Sequence, residues 1–321
     1  MNIVHVADIH ISESRITEFK VLIKQLADKI KSHNPDLIVF SGDMFTHRDT
    51  LTPSQVELAR DFFKEHLKGF NILVTVGNHD ISMNETKADS LSAIFSNDSV
   101  KVYTEVGSFV DIDDYRFHMF PYPSKSEMVR LGLTDFSSLA NLDYVSGLFQ
   151  IDKNKKNILI FHGSLEGFVH ASGSAVEIGI GKDLLHKHQV YDKAVYCGCP
   201  FPLTFSDDLP TGFVLWRGLN PQFIEIEQLY PYITVNLGHL ALTGKAINEE
   251  ISRRLYNNED YTDCRIKVKY KISIANSGEI DNRVIAGCFR NAKEIKIASP
   301  KRIEKGIKNF KFPPDLIIEK L

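Results

Sequence analysis

Four times in the chain a short apolar run stops abruptly on residues able to bind a cation. Ile3-Val4-His5-Val6-Ala7 leads into Asp8-Ile9-His10, and Leu37-Ile38-Val39-Phe40 into Ser41-Gly42-Asp43. Ile72-Leu73-Val74-Thr75-Val76 leads into Gly77-Asn78-His79-Asp80, and Ile158-Leu159-Ile160-Phe161 into His162-Gly163. Runs of this length, rich in β-branched residues, read as buried strands. Between the first two, Ile16, Phe19, Ile23, Leu26 and Ile30 recur at three- and four-residue steps and give one apolar helix face. Between the second and third, Thr52-Pro53-Ser54-Gln55 reads as an N-cap with proline at the first helical position, and Val56, Ala59, Phe63 and Leu67 continue the face. Alternating strand and helix define a layered α/β domain. In such sheets the carboxyl ends of neighbouring strands open on one crevice, so four separate motifs can become one site.

Residues 100–122 read as a hairpin turning at Asp113-Asp114, and 194–227 as further strands with a turn at Gly218-Leu219-Asn220-Pro221, together a second sheet packed on the first. The first domain is expected over 1–228, a connector containing Pro231 over 229–244, and a small α+β domain over 245–321. Within the last, the pattern predicts helix 245–256, strand 265–274, helix 280–289 and strand 294–298. A net charge of −3 hides an asymmetry: residues 264–321 hold 14 Lys and Arg against 6 Asp and Glu, which leaves the preceding 263 residues at −11. A basic segment on an acidic body points to a polyanionic partner, with Lys267, Lys269, Lys271, Lys293, Lys296, Lys301 and Arg302 as the phosphate contacts. No apolar run approaches the roughly 18 residues of a membrane span. The N-terminus lacks a basic n-region and carries Asp8 where a signal peptide is apolar. Four cysteines make neither a disulfide framework nor a zinc site. The expectation is a soluble protein of the cytoplasm.

Asp8-Ile9-His10, Gly42-Asp43, Gly77-Asn78-His79-Asp80 and His162 together supply carboxylate, imidazole and amide donors, a mixture that a hard divalent ion such as Mn²⁺ accepts, whereas structural zinc favours cysteine. One such motif alone is ordinary turn chemistry, but four in order, each after a buried run, are not. In its DxH, GD, GNH and lone-His motifs the chain resembles the calcineurin-like metallophosphoesterases. GNHD in place of GNHE, no arginine-glycine pair after Gly42-Asp43, and Tyr196-Cys197-Gly198-Cys199-Pro200 followed by Leu203-Thr204-Phe205 are similar to the SbcD-type nuclease subunits within them. The resemblance covers 1–228 strongly and the basic segment weakly.

This resemblance implies a four-layer αββα sandwich with a small α+β cap. It places Asp8, His10 and Asp43 on one metal, with Asp43 bridging to a second held by Asn78 and His162. The metals would be two Mn²⁺, with Mg²⁺ a poorer substitute. Two ions about 4 Å apart clamp the attacking and leaving oxygens of a phosphoryl displacement. His79 is then the residue that orients the scissile phosphate and protonates or stabilises the leaving oxygen. In many relatives a side chain three residues after the bridging aspartate supports this histidine; here that position is Thr46, followed by His47. The family's GHxH motif has its counterpart in His186-Lys187-His188. Either both histidines are the HxH pair, with Leu185 in place of glycine, or His186 is the second histidine and Leu184 stands at the first. Gly238-His239 mimics half the motif but lies after the predicted sandwich.

The implied activity is Mn²⁺-dependent exonuclease and endonuclease cleavage of DNA in replication, recombination and repair. The implied partners are a second copy of the chain and an SbcC-type ATPase. Two other readings remain: a phosphodiesterase of smaller substrates, and a DNA-binding scaffold whose altered fourth motif has cost it catalysis. His5 and His118 lie inside apolar strands and read as core residues, while His33 and His66 end helices, where a cation suits the dipole.

Overall fold

The apolar runs form strands β1 (Asn2–Val6), β2 (Leu37–Phe40) and β3 (Ile72–Thr75), joined in parallel through α1 (Ile16–Ser32) and α2 (Pro53–Asp61). A computed structural model describes residues 1–82, 89–95, 100–132, 147–162, 197–205, 210–240, 245–255, 261–272, 281–289 and 291–298, with 238–240, 245, 271 and 272 described by backbone alone. The chain divides into two compact units, Met1–Leu229 and Tyr230–Leu321.

In the first unit, β4 (Val100–Tyr103) adds to β3 in parallel, and the hairpin β8 (Gly212–Arg217) and β9 (Asn220–Glu225) adds to the other side of β1. The result is a six-stranded sheet of order β4-β3-β2-β1-β8-β9. A three-stranded sheet contains β5 (Phe109–Ile112), β6 (Tyr115–Phe120) and β7 (Lys156–Phe161). Three expectations about sheet membership are corrected. The segment 100–122 is not one hairpin, because β4 belongs to the large sheet and only β5–β6 turns at Asp113-Asp114. The 212–225 hairpin extends the large sheet instead of the second. The run ending at His162 lies in the small sheet, parallel to β6. Period and residue type specify that a strand forms, whereas the edge it joins depends on contacts far away in sequence.

Alternate residues of β1–β3 serve opposite faces. Ile3, Leu37, Val39 and Leu73 pack against Tyr115, Phe117, Met119 and Ile160 of the small sheet. Phe40, one residue out of phase, meets Phe63 edge-on at 5.6 Å on the helical side. There α1 buries Phe19, Leu22, Ile23, Leu26, Ala27 and Ile30, each large side chain contributing about 1.5–3 kcal/mol. The N-cap of α2 is a full capping box, Thr52 Oγ1 accepting from Gln55 N and Gln55 Oε1 from Thr52 N. A π-turn over Phe62–His66 follows and lets consecutive Phe62 and Phe63 both be buried. Two short helices, α3 (Ser90–Ile94) and α4 (Lys125–Arg130), are capped by Asp89 and Ser124. Helices, large sheet and small sheet thus stack as three successive layers among the described residues, in the α/β class expected, with the fourth layer of an αββα sandwich not among them.

The second unit is a parallel sheet of β10 (Tyr232–Leu240), β11 (Arg265–Ile272) and β12 (Glu294–Ile297), connected through α5 (Lys245–Leu255) and α6 (Asn282–Cys288). Ile247, Ile251 and Leu255 of α5 and Ile285 of α6 pack with Ile266 and Val268 in its core. The stretch 229–244, expected to be a connector, holds β10. Pro231 stands just before the strand, where its missing N–H breaks no ladder bond and its carbonyl accepts from Arg265 N. No helix among the described residues is long and apolar enough to cross a membrane.

Candidate metal centre

The backbone beyond β1, β2 and β3 is held before any side chain is considered. Ser41 N donates to Val6 O, Asp8 N to Gly42 O, His10 N to Asp43 O and Ile11 N to Met44 O, so the loops after β1 and β2 run on as a zipped pair. The buried carboxylate of Asp80 adds the loop after β3. Its Oδ2 accepts from Asp43 N at 2.7 Å and Gly77 N at 2.9 Å, and its Oδ1 from Met44 N at 3.0 Å. Burial, and then the charge of Asp43, push Asp80 up to about 6 against the pull of those N–H bonds. Tyr122 N donates to Val76 O and ties the chain after β6 to the end of β3.

This packing leaves no room for side chains at two glycines. A Cβ on Gly42, whose φ is +87°, would stand 2.5 Å from Gly77 N and 2.7 Å from His162 Nδ1. One on Gly77 would strike Asp43. Asp8, His10 and Asp43 are themselves left-handed, with φ of 55°, 52° and 59°. Aspartate and histidine enter this region more readily than most residues, but such conformations persist only where the surroundings over-determine them.

The side chains converge on Asp43. His10 Nε2 lies 3.6 Å from Asp43 Oδ2 and 3.7 Å from Asp8 Oδ1, and His162 Nε2 lies 3.4 Å from Asp43 Oδ1. Two sets of donor atoms each lie within 4.8 Å of one another: His10, Asp43 and His79, and Asp8, Asp43 and His162. Both share Asp43, as a bridging carboxylate would. Their sorting differs from the one the resemblance implies, since Asp8 falls with His162 and His79 with His10. Burial alone would lower His10, but Asp8, Asp43 and Asp80 hold it above the ordinary histidine value.

Two ring tautomers follow from the hydrogen bonds. His162 Nδ1 faces Ser41 O at 2.6 Å and His79 Nδ1 faces Thr46 O at 2.7 Å. A carbonyl can only accept, so each neutral ring carries its hydrogen on Nδ1 and offers the Nε2 lone pair. That arrangement is typical of metal-binding imidazoles. The support that a side chain at this position gives in many relatives is supplied here by the backbone carbonyl of Thr46, whose hydroxyl donates to His10 O at 2.8 Å. Carboxylate, imidazole and carboxamide donors with few protons between them suit a hard divalent ion.

Several contributors were not legible as motifs. Asp80 lies inside GNHD, yet its role as a backbone clamp appears only in three dimensions. His5, read as a core residue, is pushed down to about 4 by burial, and its Nε2 lies 2.5 Å from Ser41 Oγ and 3.6 Å from Cys197 Sγ. It thereby braces the residue whose carbonyl holds His162. Cys199 Sγ donates to Asp8 O at 2.8 Å. His118 bonds Asn157 Oδ1 at 3.0 Å in the small sheet. His33, at the end of α1, is lowered by burial, Lys29 and Arg217, and its ring packs edge-on against Phe213. His186, His188, Lys301 and Arg302 lie outside the described residues. His239 and Lys271 are register partners on β10 and β11.

These strand-end loops, clamped by backbone and converging on one carboxylate, agree with what comparison shows. A family model of the calcineurin-like phosphoesterases matches residues 1–194, more than half of the chain, and the chain belongs to that family. It is similar to the SbcD subunit of the SbcCD nuclease of Staphylococcus epidermidis (strain ATCC 12228 / FDA PCI 1200). The two are 25% identical over 301 residues, an alignment covering 84% of this chain and 76% of that protein.

Proposed function

We propose that the chain is a divalent-metal-dependent DNA nuclease, an SbcD-type subunit working with an SbcC-type ATPase and a second copy of itself inside the cell. The observation that carries this reading is the pair of donor sets sharing Asp43 at the carboxyl ends of strands from two facing sheets. Asp8, His10, Asp43, Asn78 and His162 hold two Mn²⁺, with Mg²⁺ a poorer fit, and His186 and His188 complete the ligands from within the family-matched residues. The bound ions supply the positive charge that an in-line phosphoryl displacement requires on its attacking and leaving oxygens. His79, oriented by Thr46 O and edge-on to His10 at 5.0 Å, acts as the imidazolium: it gives the Nε2 proton to the leaving oxygen and is left as the neutral ring with its hydrogen on Nδ1. Asp80 keeps the loops in place without touching substrate.

The first unit is the nuclease domain, and the second, with β10 in it, is a DNA-binding cap. Support for a polymeric substrate comes from the second unit's sheet. Helices cover Ile266 and Val268, while Lys269, Lys296, Thr234 and Asn236 are exposed and Lys267 is half-buried. Lys267 and Lys296 are direct register partners, a like-charge pairing that a polyanion would relieve. Lys293 lies 3.7 Å over the ring of Tyr230.

Purified protein with Mn²⁺, offered end-labelled duplex, single-stranded DNA and cyclic nucleotides, tests the reading. DNA cleavage that a chelator stops is the expected result. Turnover of cyclic nucleotides without DNA cleavage would make it a small-substrate phosphodiesterase. Fewer than one tightly bound ion per chain, with no cleavage, would make it a scaffold.

A further inference from the structure

Arg48 follows Asp43 by five residues and belongs to none of the motifs, yet its Nη2 lies 2.9 Å from the Asn78 carboxamide. That carboxamide has two faces to satisfy. With Oδ1 toward Arg48, it accepts from Nη2, and its Nδ2 donates to Asp43 Oδ2 at 3.2 Å and His162 Nε2 at 3.1 Å. Every atom then meets a complementary partner. Turned over, Asn78 presents Oδ1 to the same carboxylate oxygen and the same imidazole lone pair, three acceptors that only a cation holds together. The turn also sets Nδ2 against Arg48 Nη2, donor against donor, which drives the guanidinium away. One carboxamide cannot serve Arg48 and a cation at once.

We propose that Arg48 is a phosphate-binding residue of this centre, released from Asn78 when the carboxamide turns its oxygen to a cation and then able to take a non-bridging oxygen of the substrate phosphoryl group. A guanidinium suits that role because its planar fork of donors matches phosphate oxygens in pairs. Arg48 is half-buried, so its reach is confined to this end of the sandwich. Its charge is also felt at Tyr122, on the chain that ties the small sheet to the end of β3. The device couples loading to binding: the turn that gives a cation the Asn78 oxygen takes that oxygen from Arg48 Nη2. The inference rests on the reading of the site as a metal-dependent phosphoesterase but does not require that DNA be the substrate.

The test measures binding instead of turnover. Inorganic phosphate is titrated calorimetrically into wild type, Arg48→Ala and Arg48→Lys, with and without Mn²⁺, and Mn²⁺ affinity is measured for each. With Mn²⁺, Arg48→Ala should weaken phosphate binding at least about tenfold, the lower end for a hydrogen bond to a charged group. Arg48→Lys should recover part of the loss. Without Mn²⁺ the variants should not differ, and Arg48→Ala should bind Mn²⁺ as well as wild type or better, having lost the competitor for Asn78 Oδ1. Equal phosphate affinity of wild type and Arg48→Ala in Mn²⁺ overturns the proposal, as does no phosphate binding by Mn²⁺-loaded wild type. A drop in Mn²⁺ affinity in Arg48→Ala also overturns it, making Arg48 a support of the ligands. Should Arg48→Ala not fold, Arg48→Gln removes the charge but keeps a donor for Asn78, and the same comparison decides. Arg48-dependent phosphate binding without any phosphodiester cleavage would sustain this inference and remove the nuclease reading; DNA cleavage with Arg48-independent phosphate binding would do the reverse.

Discussion

In the first unit β1, β2 and β3 are covered by helices on one face and by the small sheet on the other, and their polar residues stand at the strand ends. In the second unit α5 and α6 cover one face of β10, β11 and β12, and lysines, Thr234 and Asn236 occupy the other. Both sets of three strands are parallel, with helical crossovers. Enclosing a sheet on both sides drives its chemistry into loops, where backbone can be bent to aim a ligand. Leaving one side open spreads charge over a surface that can meet a long partner but cannot focus on one atom. Backbone conformation follows suit: Asp8, His10 and Asp43 are left-handed in the first unit, whereas Asp263, in a turn, is the sole such non-glycine residue described in the second.

The sharpest way to break this contrast is at the shared carboxylate. Asp43→Asn should abolish metal-dependent hydrolysis and lower bound metal, measured by turnover and elemental analysis, while duplex DNA still binds through the second unit. Next in size, His79→Gln should cost about 10²–10⁴ in kcat, the span of general acid catalysis, with metal content and DNA affinity retained. Wild-type cleavage by this variant would remove His79 from the mechanism. The open face is probed by Lys267→Gln, Lys269→Gln and Lys296→Gln together. Duplex affinity should fall, and the slope of log affinity against log salt should become shallower by roughly 0.9 for each phosphate no longer neutralised. Hydrolysis of a small chromogenic phosphodiester should not change, and if it falls equally the two units do not divide the labour as argued. The smallest effect is expected at Thr52→Ala, which removes the α2 cap and should cost about 1 kcal/mol in thermal or urea unfolding at unaltered kcat.

The strands of the sandwich and the two long helices of its first unit were legible because each carries its own period. So were Asp8, His10, Asp43, Asn78, His79 and His162, since each closes an apolar run. What escaped was set by distant partners. Nothing local to 212–225 says that it pairs with β1, and nothing in Val100-Lys101-Val102-Tyr103 distinguishes a strand beside β3 from the arm of a hairpin. Pro231 read as a break because proline usually is one, and only the strand's position shows that the missing N–H costs no ladder bond. The support of His79 was sought among side chains, whereas a backbone carbonyl supplies it and any residue at position 46 can carry one. Arg48 escaped because an arginine without a neighbouring glycine matches no pattern.

The Asp80 clamp has a consequence for timescale. Amides of Asp43, Met44 and Gly77 sit in loops, where exchange with solvent is ordinarily fast, but each is spent on a carboxylate that is itself buried. Their protons should leave only when the strands separate, as late as those in the middle of β2. A centre held this way keeps its shape through rounds of ion loss and uptake, so reloading is limited by arrival and not by refolding.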